Sequence, residues 1–245
     1  MAYIKAEIAD YGTEDTLLQK IRDLFINNTV AQFSLVEENF TKRPYSITVG
    51  YNNLRISVTG SSSSGVLLQY KIYIVTNDEA TLKATTNVLY LPGSISATTT
   101  ATRTAKILIA KNENDVVVNI APYTSAMGKG AVTIVDIITV DDNEIIGYSI
   151  NSTVSLTYLN VENQTTYTAR PYHTAQKSET ELWLDPELTF YNSSSSEYFS
   201  STTGITGLGG GVKSSTYTTT AGDKYYCCDT NIAIKLNEEV AYEVE

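Results

Sequence analysis

Two short stretches carry side chains of the kind that reactions use. Gly207 to Ser215 reads GLGGGVKSS, a glycine-rich run ending in a lysine and two hydroxyl residues, which is the composition of a phosphate cradle. The P-loop pattern G-x-x-x-x-G-K-[ST], laid on Gly207 to Ser214, requires glycine at Val212, and a branched side chain there crowds the turn that wraps phosphate. A P-loop also needs a buried strand before it and a helix after it, whose N-terminal amides complete the cradle. The hydroxyl-rich SSSSEYFSSTTGIT and TYTTTAGDKYY stand in those places instead. The stretch reads as a flexible surface loop without a nucleotide, and no cofactor is expected.

The second stretch is LWLDPELTF, Leu182 to Phe190, where Asp185 and Glu187 offer paired carboxylates and Trp183 a platform for a sugar ring. Glycoside hydrolysis requires carboxyl groups about 5 Å apart for retention, or about 6.5 to 9.5 Å for inversion. Residues two apart on a strand share a face, but Pro186 interrupts this one, so a turn bounded by acids is the expected structure. His173, the sole histidine, sits in ARPYHTAQ without a G-x-S-x-G nucleophile elbow, and no Ser-His-Asp apparatus is expected around it. Cys227 and Cys228 are adjacent, a spacing that strains a mutual disulfide, and with one histidine they fall short of the roughly four ligands of a closed zinc site. They are read as reduced structural residues. The acidic VDDNE, Val140 to Glu144, lacks the D-x-[DN]-x-[DN]-G spacing and the later glutamate of a calcium loop and reads as a hairpin turn. No catalytic, cofactor-binding or metal-ligating residue is assigned, and the chain is not expected to be an enzyme.

The chain that must hold these residues has 245 of them, 42% hydrophobic, enough for a real core in one large or two small domains. Its 27 Asp and Glu against 17 Lys and Arg give a formal net charge of -10. Phosphate backbones and anionic headgroups repel such a surface, so nucleic acid is not an expected partner. The N-terminal MAYIKAEIADYG places acids where a signal peptide needs a continuous apolar core, and no apolar run approaches the ~20 residues of a bilayer span. The expectation is a chain made and kept in a cytoplasm, without membrane insertion. On that expectation the N-x-[ST] triplets at Asn27 and Asn151 carry no weight as glycosylation sites.

One helix is expected, over residues 13 to 27, in TEDTLLQKIRDLFINN. Leu17, Leu18, Ile21, Leu24 and Phe25 recur at helical spacing, Thr13 is placed to cap, and Glu14 and Asp15 favour the positive end of the dipole. Asn27 and Asn28 supply a stop, since Asn tolerates the left-handed conformation of helix ends. The stripe is expected to pack on a sheet. Afterwards the period becomes two. SITVGYNNLRISVTG alternates on both sides of Asn52 and Asn53; AKILIAKNENDVVVNIAP flanks the loop Lys111 to Asp115; AVTIVDIITVDDNEIIGYSI turns at Asp141 to Asn143. Further strands are expected in GVLLQYKIYIVT, STVSLTYLNV, TYTARPY, ELWLDPELTFY and NIAIKLNEEVAYEV. The predicted fold is mainly β, an antiparallel β-sandwich or barrel-like sheets with one N-terminal amphipathic helix. A change of composition near Asn160 divides residues 1–160, a helix and antiparallel β domain, from residues 161–245, a β-rich extension. Within the extension Tyr191 to Gly222 is so rich in Ser, Gly and Thr that an irregular excursion is expected.

The chain also holds 18 tyrosines, rigid amphipathic rings suited to protein interfaces and carbohydrate grooves as well as to the wet side of a β core. The leading MAYI, the early helix DTLLQKIRDLFINN, the hairpins rich in Thr, Ser, Asn and Tyr, the acidic charge and the scarcity of His and Cys together resemble virion structural proteins of tailed bacteriophages. Tail, neck and baseplate components are the nearest group. The resemblance implies a non-enzymatic subunit that assembles into symmetric rings or sleeves with copies of itself and with neighbouring virion proteins, made in the host cytoplasm and located in the virion. Tyr198, Phe199 and Tyr217 are the expected anchors in a neighbour. The alternative is a receptor- or glycan-binding module of a phage tail, with Trp183 and nearby tyrosines stacking on sugar.

Overall fold

The structure, a computed structural model, describes residues 2–9, 13–30, 32–62, 65–92, 105–111, 116–122, 133–140, 143–148, 156–163, 165–171, 184–185, 188–192, 197–201, 205–208, 216–229 and 232–240. It is mainly β, with antiparallel sheets and, among the described residues, one helix near the N-terminus. Contacts divide the chain into two compact units, one mainly Ile4–Ile109 and the other mainly Val132–Val240 with Met1–Tyr3 and Ala110–Asn119.

In the first unit, β1 (Ala2–Ile8), which enters it at Ile4, alternates buried Ile4, Ala6 and Ile8 with exposed Lys5 and Glu7. Helix α1 (Glu14–Ile26) then buries Leu17, Leu18, Ile21, Leu24 and Phe25 completely, the stripe its spacing predicts. Thr13 stands at the N-cap in an extended conformation but makes no side-chain cap; its hydroxyl shares a 2.9 Å hydrogen bond with that of Thr16. The stop works differently from the expected left-handed asparagines. Asn27 has a φ of -100°, and the buried Asn28 amide donates to the Leu24 and Phe25 carbonyls while its Oδ1 accepts from the Val30 amide. A side chain thus takes up carbonyls that the helix end leaves open.

Strands β2 (Ser34–Asn39), β3 (Tyr45–Tyr51), β4 (Leu54–Ser62), β5 (Gly65–Thr76) and β6 (Glu79–Pro92) form a five-stranded sheet in sequence order, every pair antiparallel. Short turns enforce that order. Asn52 turns β3 into β4 at φ 46°, and Asn77 and Asp78 turn β5 into β6 at φ 51° and 63°, conformations that short polar side chains tolerate and that match strand twist. Helix α1 packs on β2, β3 and β4. The register aligns Ile47 with Val58 and Tyr70, and Val49 with Ile56 and Ile72, all at most 1% exposed. At Gly60, on the same side, a Cβ would meet Glu14 Cβ at 3.3 Å and Leu18 Cδ1 at 3.4 Å, so the missing side chain sets how closely the helix N-terminus approaches. Strand β7 (Ala105–Lys111) lies beside β1, where Lys106 pairs with Glu7 at 3.4 Å.

The second unit takes β8 (Val116–Pro122) as far as Asn119, then β9 (Thr133–Val140), β10 (Asn143–Tyr148), β11 (Leu156–Asn160), β12 (Thr166–Pro171), β13 (Leu184–Asp185), β14 (Leu188–Asn192), β15 (Glu197–Ser201), β16 (Ile205–Leu208), β17 (Thr216–Thr218), β18 (Lys224–Asp229), β19 (Ile232–Leu236) and β20 (Glu238–Glu239). Neighbours run β8-β9-β10-β11-β12-β14-β15 in one sheet and β13-β16-β19-β18-β17 in another. Strand β20 pairs in parallel with Ala2 and Tyr3 of β1. Asn160, where the composition changes, opens the turn between β11 and β12: its amide donates to the Thr165 carbonyl at 2.9 Å, and its side-chain oxygen accepts from the Glu162 and Asn163 amides. The window Tyr191 to Gly222 differs from the expected irregular excursion, because β15, β16 and β17 lie within it. Ile, Thr, Tyr and Phe suit these short strands, and β16 finds its partners in the remote β13 and β19, which local composition does not reveal.

Candidate interaction surface

Strand β2 is one edge of the five-stranded sheet, and five of its six residues are exposed. Its register with β3 slips between Leu35 and Glu37, leaving Val36 as an extra residue, a β-bulge. Strand β6 is the opposite edge; its register with β5 slips between Leu82 and Ala84, leaving Lys83 as the extra residue. Leu35, Val36 and Leu82 are 41%, 52% and 50% exposed, and they are the large exposed hydrophobic side chains among the described residues. All three therefore stand on the two edges of a single sheet.

Two of them share a face. Gly50 pairs with Arg55, Arg55 with Tyr73 and Tyr73 with Leu82, a row on the side away from α1, since cross-strand partners share a face and this row alternates with Val49, Ile56 and Ile72. Ser34 is Gly50's partner on β2, and the bulged Val36 leans onto the same face: a Cβ on Gly50 would meet Val36 Cγ2 at 3.0 Å and Arg55 Nη1 at 2.9 Å. The glycine leaves room for the Arg55 side chain, whose guanidinium donates to the Asn52 and Leu54 carbonyls.

Charge and hydrogen bonding hold β2 in place. Arg22 on α1 pairs with Asp23 and, at 2.8 Å, with Glu38 of β2, and its guanidinium carbon stands 5.7 Å from the Phe40 ring centre. At the end of β2, Asn39 donates to the Lys42 and Pro44 carbonyls and accepts from Thr41 and Lys42, which shapes the loop that carries Arg43. Arg43 Nη2 reaches 2.9 Å from Glu14 Oε2. Glu14 is buried, and neither of its oxygens receives an aligned hydrogen bond, so this ion contact is its compensation among the described residues. The Tyr70 hydroxyl is also buried without a hydrogen-bond partner, and burial pushes its ionisation far above the ordinary range. In the second unit Tyr3 donates to Glu239 Oε2 at 2.9 Å; burial first, then the neighbouring carboxylate, push the Tyr3 phenol up to about 12.

The residues singled out in the sequence are not gathered into one place by the described structure. Gly207 and Leu208 end β16, paired with Asp185 and Leu184 of β13, while residues 209–215, with Val212 and Lys213, lie outside the described residues. So do Trp183, Pro186, Glu187, His173 and the turn residues Asp141 and Asp142, although Val140 and Asn143 pair across that turn. Cys227 and Cys228 fall in β18, at a register shift against β19. Tyr198 and Phe199 belong to the edge strand β15, in register with Tyr191 and Phe190, and Tyr217 belongs to the edge strand β17, in register with Tyr225. The expected anchors thus lie on strands at sheet edges instead of loops. Leu35, Val36 and Leu82 went unnoticed in the sequence, although SLVEEN lacks the alternation of a half-buried strand.

Among the described residues no group of three or more His, Cys, Asp or Glu is placed to hold a metal ion, and no helix is long and apolar enough to cross a membrane. No family model, curated protein or solved structure matches the chain.

Proposed function

We propose that the chain is a non-enzymatic structural subunit of a bacteriophage virion, of its tail, neck or baseplate, made in the host cytoplasm and acting through assembly with copies of itself and with neighbouring virion proteins. The observation that carries the assembly reading is that, among the described residues, the large exposed hydrophobic side chains are Leu35, Val36 and Leu82, on the two edges of one sheet. Open edges with apolar side chains pair with another chain, and a protein that keeps them has a use for that pairing. The expected anchors Tyr198, Phe199 and Tyr217 also sit on edge strands. The virion setting rests on the resemblance of sequence character described above.

The experiment is quantitative mass spectrometry of purified phage particles, with antibody labelling to locate the protein. The expected result is a repeated-copy component confined to the tail, neck or baseplate. Absence from particles, or a protein that purifies as a single chain and binds only glycans, contradicts the proposal and favours the glycan-binding alternative.

A further inference from the structure

The two edges of the β2–β6 sheet are complementary to each other, and we infer that β6 of one copy pairs in parallel with β2 of the next, setting Leu82 beside Val36 and Lys83 beside Glu37. The inference rests on the assembly reading above and names the partner of that surface as a second copy of this chain.

Direction comes first. Every pairing from β2 to β6 is antiparallel, so after four steps β2 and β6 run the same way. A head-to-tail copy therefore presents β2 parallel to β6. Register comes from side chains. The row ends at Leu82 on one edge and, by register, at Ser34 on the other, where the bulged Val36 leans beside Gly50 on the same face, so a copy placed edge to edge brings Leu82 against the exposed Val36. The next residue of each strand carries opposite charge, Glu37 on β2 and Lys83 on β6. In parallel pairing equal steps keep these residues opposite each other, an apolar contact followed by an ion pair.

The irregularities agree with this register. Bulges and charges normally protect an edge from indiscriminate pairing. Here each edge has a bulge at the doublet, at Val36 in β2 and at Lys83 in β6, while a second irregularity of β6, at Val88, lies beyond the six-residue reach of β2 in this register. A partner can follow either edge past this point only with a matching offset, which the other edge supplies there. Antiparallel pairing of β2 with a second β2 is disfavoured, because it gathers Glu37 and Glu38 of both copies into one short ladder. A heterologous contact of this kind repeats from copy to copy and closes into a ring or continues as a filament.

The test mixes two variants of the full chain, Val36→Cys and Leu82→Cys, each also carrying Cys227→Ser and Cys228→Ser so that one cysteine remains, under oxidation, with crosslinked peptides identified by mass spectrometry. Both sites are exposed, and thermal melts confirm that the variants fold. The expected result is a disulfide joining position 36 of one variant to position 82 of the other, with neither variant forming that product alone. In parallel, Glu37→Lys and Lys83→Glu are each expected to shift the assembled species toward the single chain in sedimentation, and the double variant to restore it. A position 36 to position 36 crosslink, or charge reversals that change nothing, overturns the inference. Oligomers that persist without any 36-to-82 crosslink overturn this pairing while leaving the assembly reading intact. A single chain at every concentration, absent from particles, defeats both.

Discussion

The two five-stranded sheets differ in how far their strands reach for neighbours. In the first unit the strands β2 to β6 lie in sequence order, whereas in the second unit the order β13-β16-β19-β18-β17 keeps β17, β18 and β19 consecutive but sets β16 between the remote β13 and β19. A sheet joined by tight hairpins is specified locally, by turn residues that accept positive φ and by alternation on one buried face. The pairings of β16 with β13 and β19 are specified by contacts that no short window contains. The first sheet also has a helix whose apolar stripe is fully buried upon it. Its stability therefore concentrates in a few named contacts that substitution can reach.

The largest expected effect is at the centre of that packing. Leu24 is completely buried, so Leu24→Asp places an unpaired carboxylate in the core and is expected to cost about 4 kcal/mol or more. An unchanged melting temperature would falsify the claim that α1 and its sheet form one core. Next is Gly60→Val, where the added branches press on Glu14 and Leu18; the expected loss is about 2 to 3 kcal/mol in chemical denaturation, and a neutral result means the helix lies farther from β4 than 3.4 Å. Arg43→Ala leaves the Glu14 carboxylate buried without its ion contact. Because Arg43 is itself 62% exposed, solvent screens the pair and the expected loss falls to about 1 to 2 kcal/mol, recovered when Glu14→Gln is added.

Tyr70→Phe sharpens the comparison in the other direction. Its hydroxyl is buried without a partner, so removal is expected to stabilise the first unit by about 1 kcal/mol, read as a higher denaturation midpoint; a clear loss implies a hydrogen bond to that oxygen. The smallest effect belongs to the second unit and to alkaline pH. Tyr3 has its folded pKa raised from 10.0 to about 12, so its contribution is complete below pH 10 and fades as pH rises through 12. Tyr3→Phe is expected to make stability less sensitive to pH across that window, and an identical pH profile would remove the role of the contact with Glu239.

How much of this the sequence displays follows the same division. The helix stripe and the strand pair around Asn52 read directly from spacing, because one buried face imposes its period on the chain. The helix stop was legible as a place, while its mechanism needed coordinates: Asn28 acts through its amide and not through a left-handed backbone. Strand β2 was hidden because an exposed edge strand has no buried face to impose alternation. β16 and β17 were hidden by glycine, serine and threonine, residues that serve loops and wet strands alike, and by the remoteness of the segments that β16 pairs with. The edge residues Leu35, Val36 and Leu82 become a candidate surface only once the strand order is known, since nothing in a single strand says that it is the last one.

Assembly is the central claim, and the mass of the full chain in solution tests it most directly. Sedimentation velocity of the purified protein over a wide concentration range is expected to show a discrete species of several chains, or a growing series of them, well above the 26.8 kDa of one chain. A single 26.8 kDa species at every concentration contradicts it.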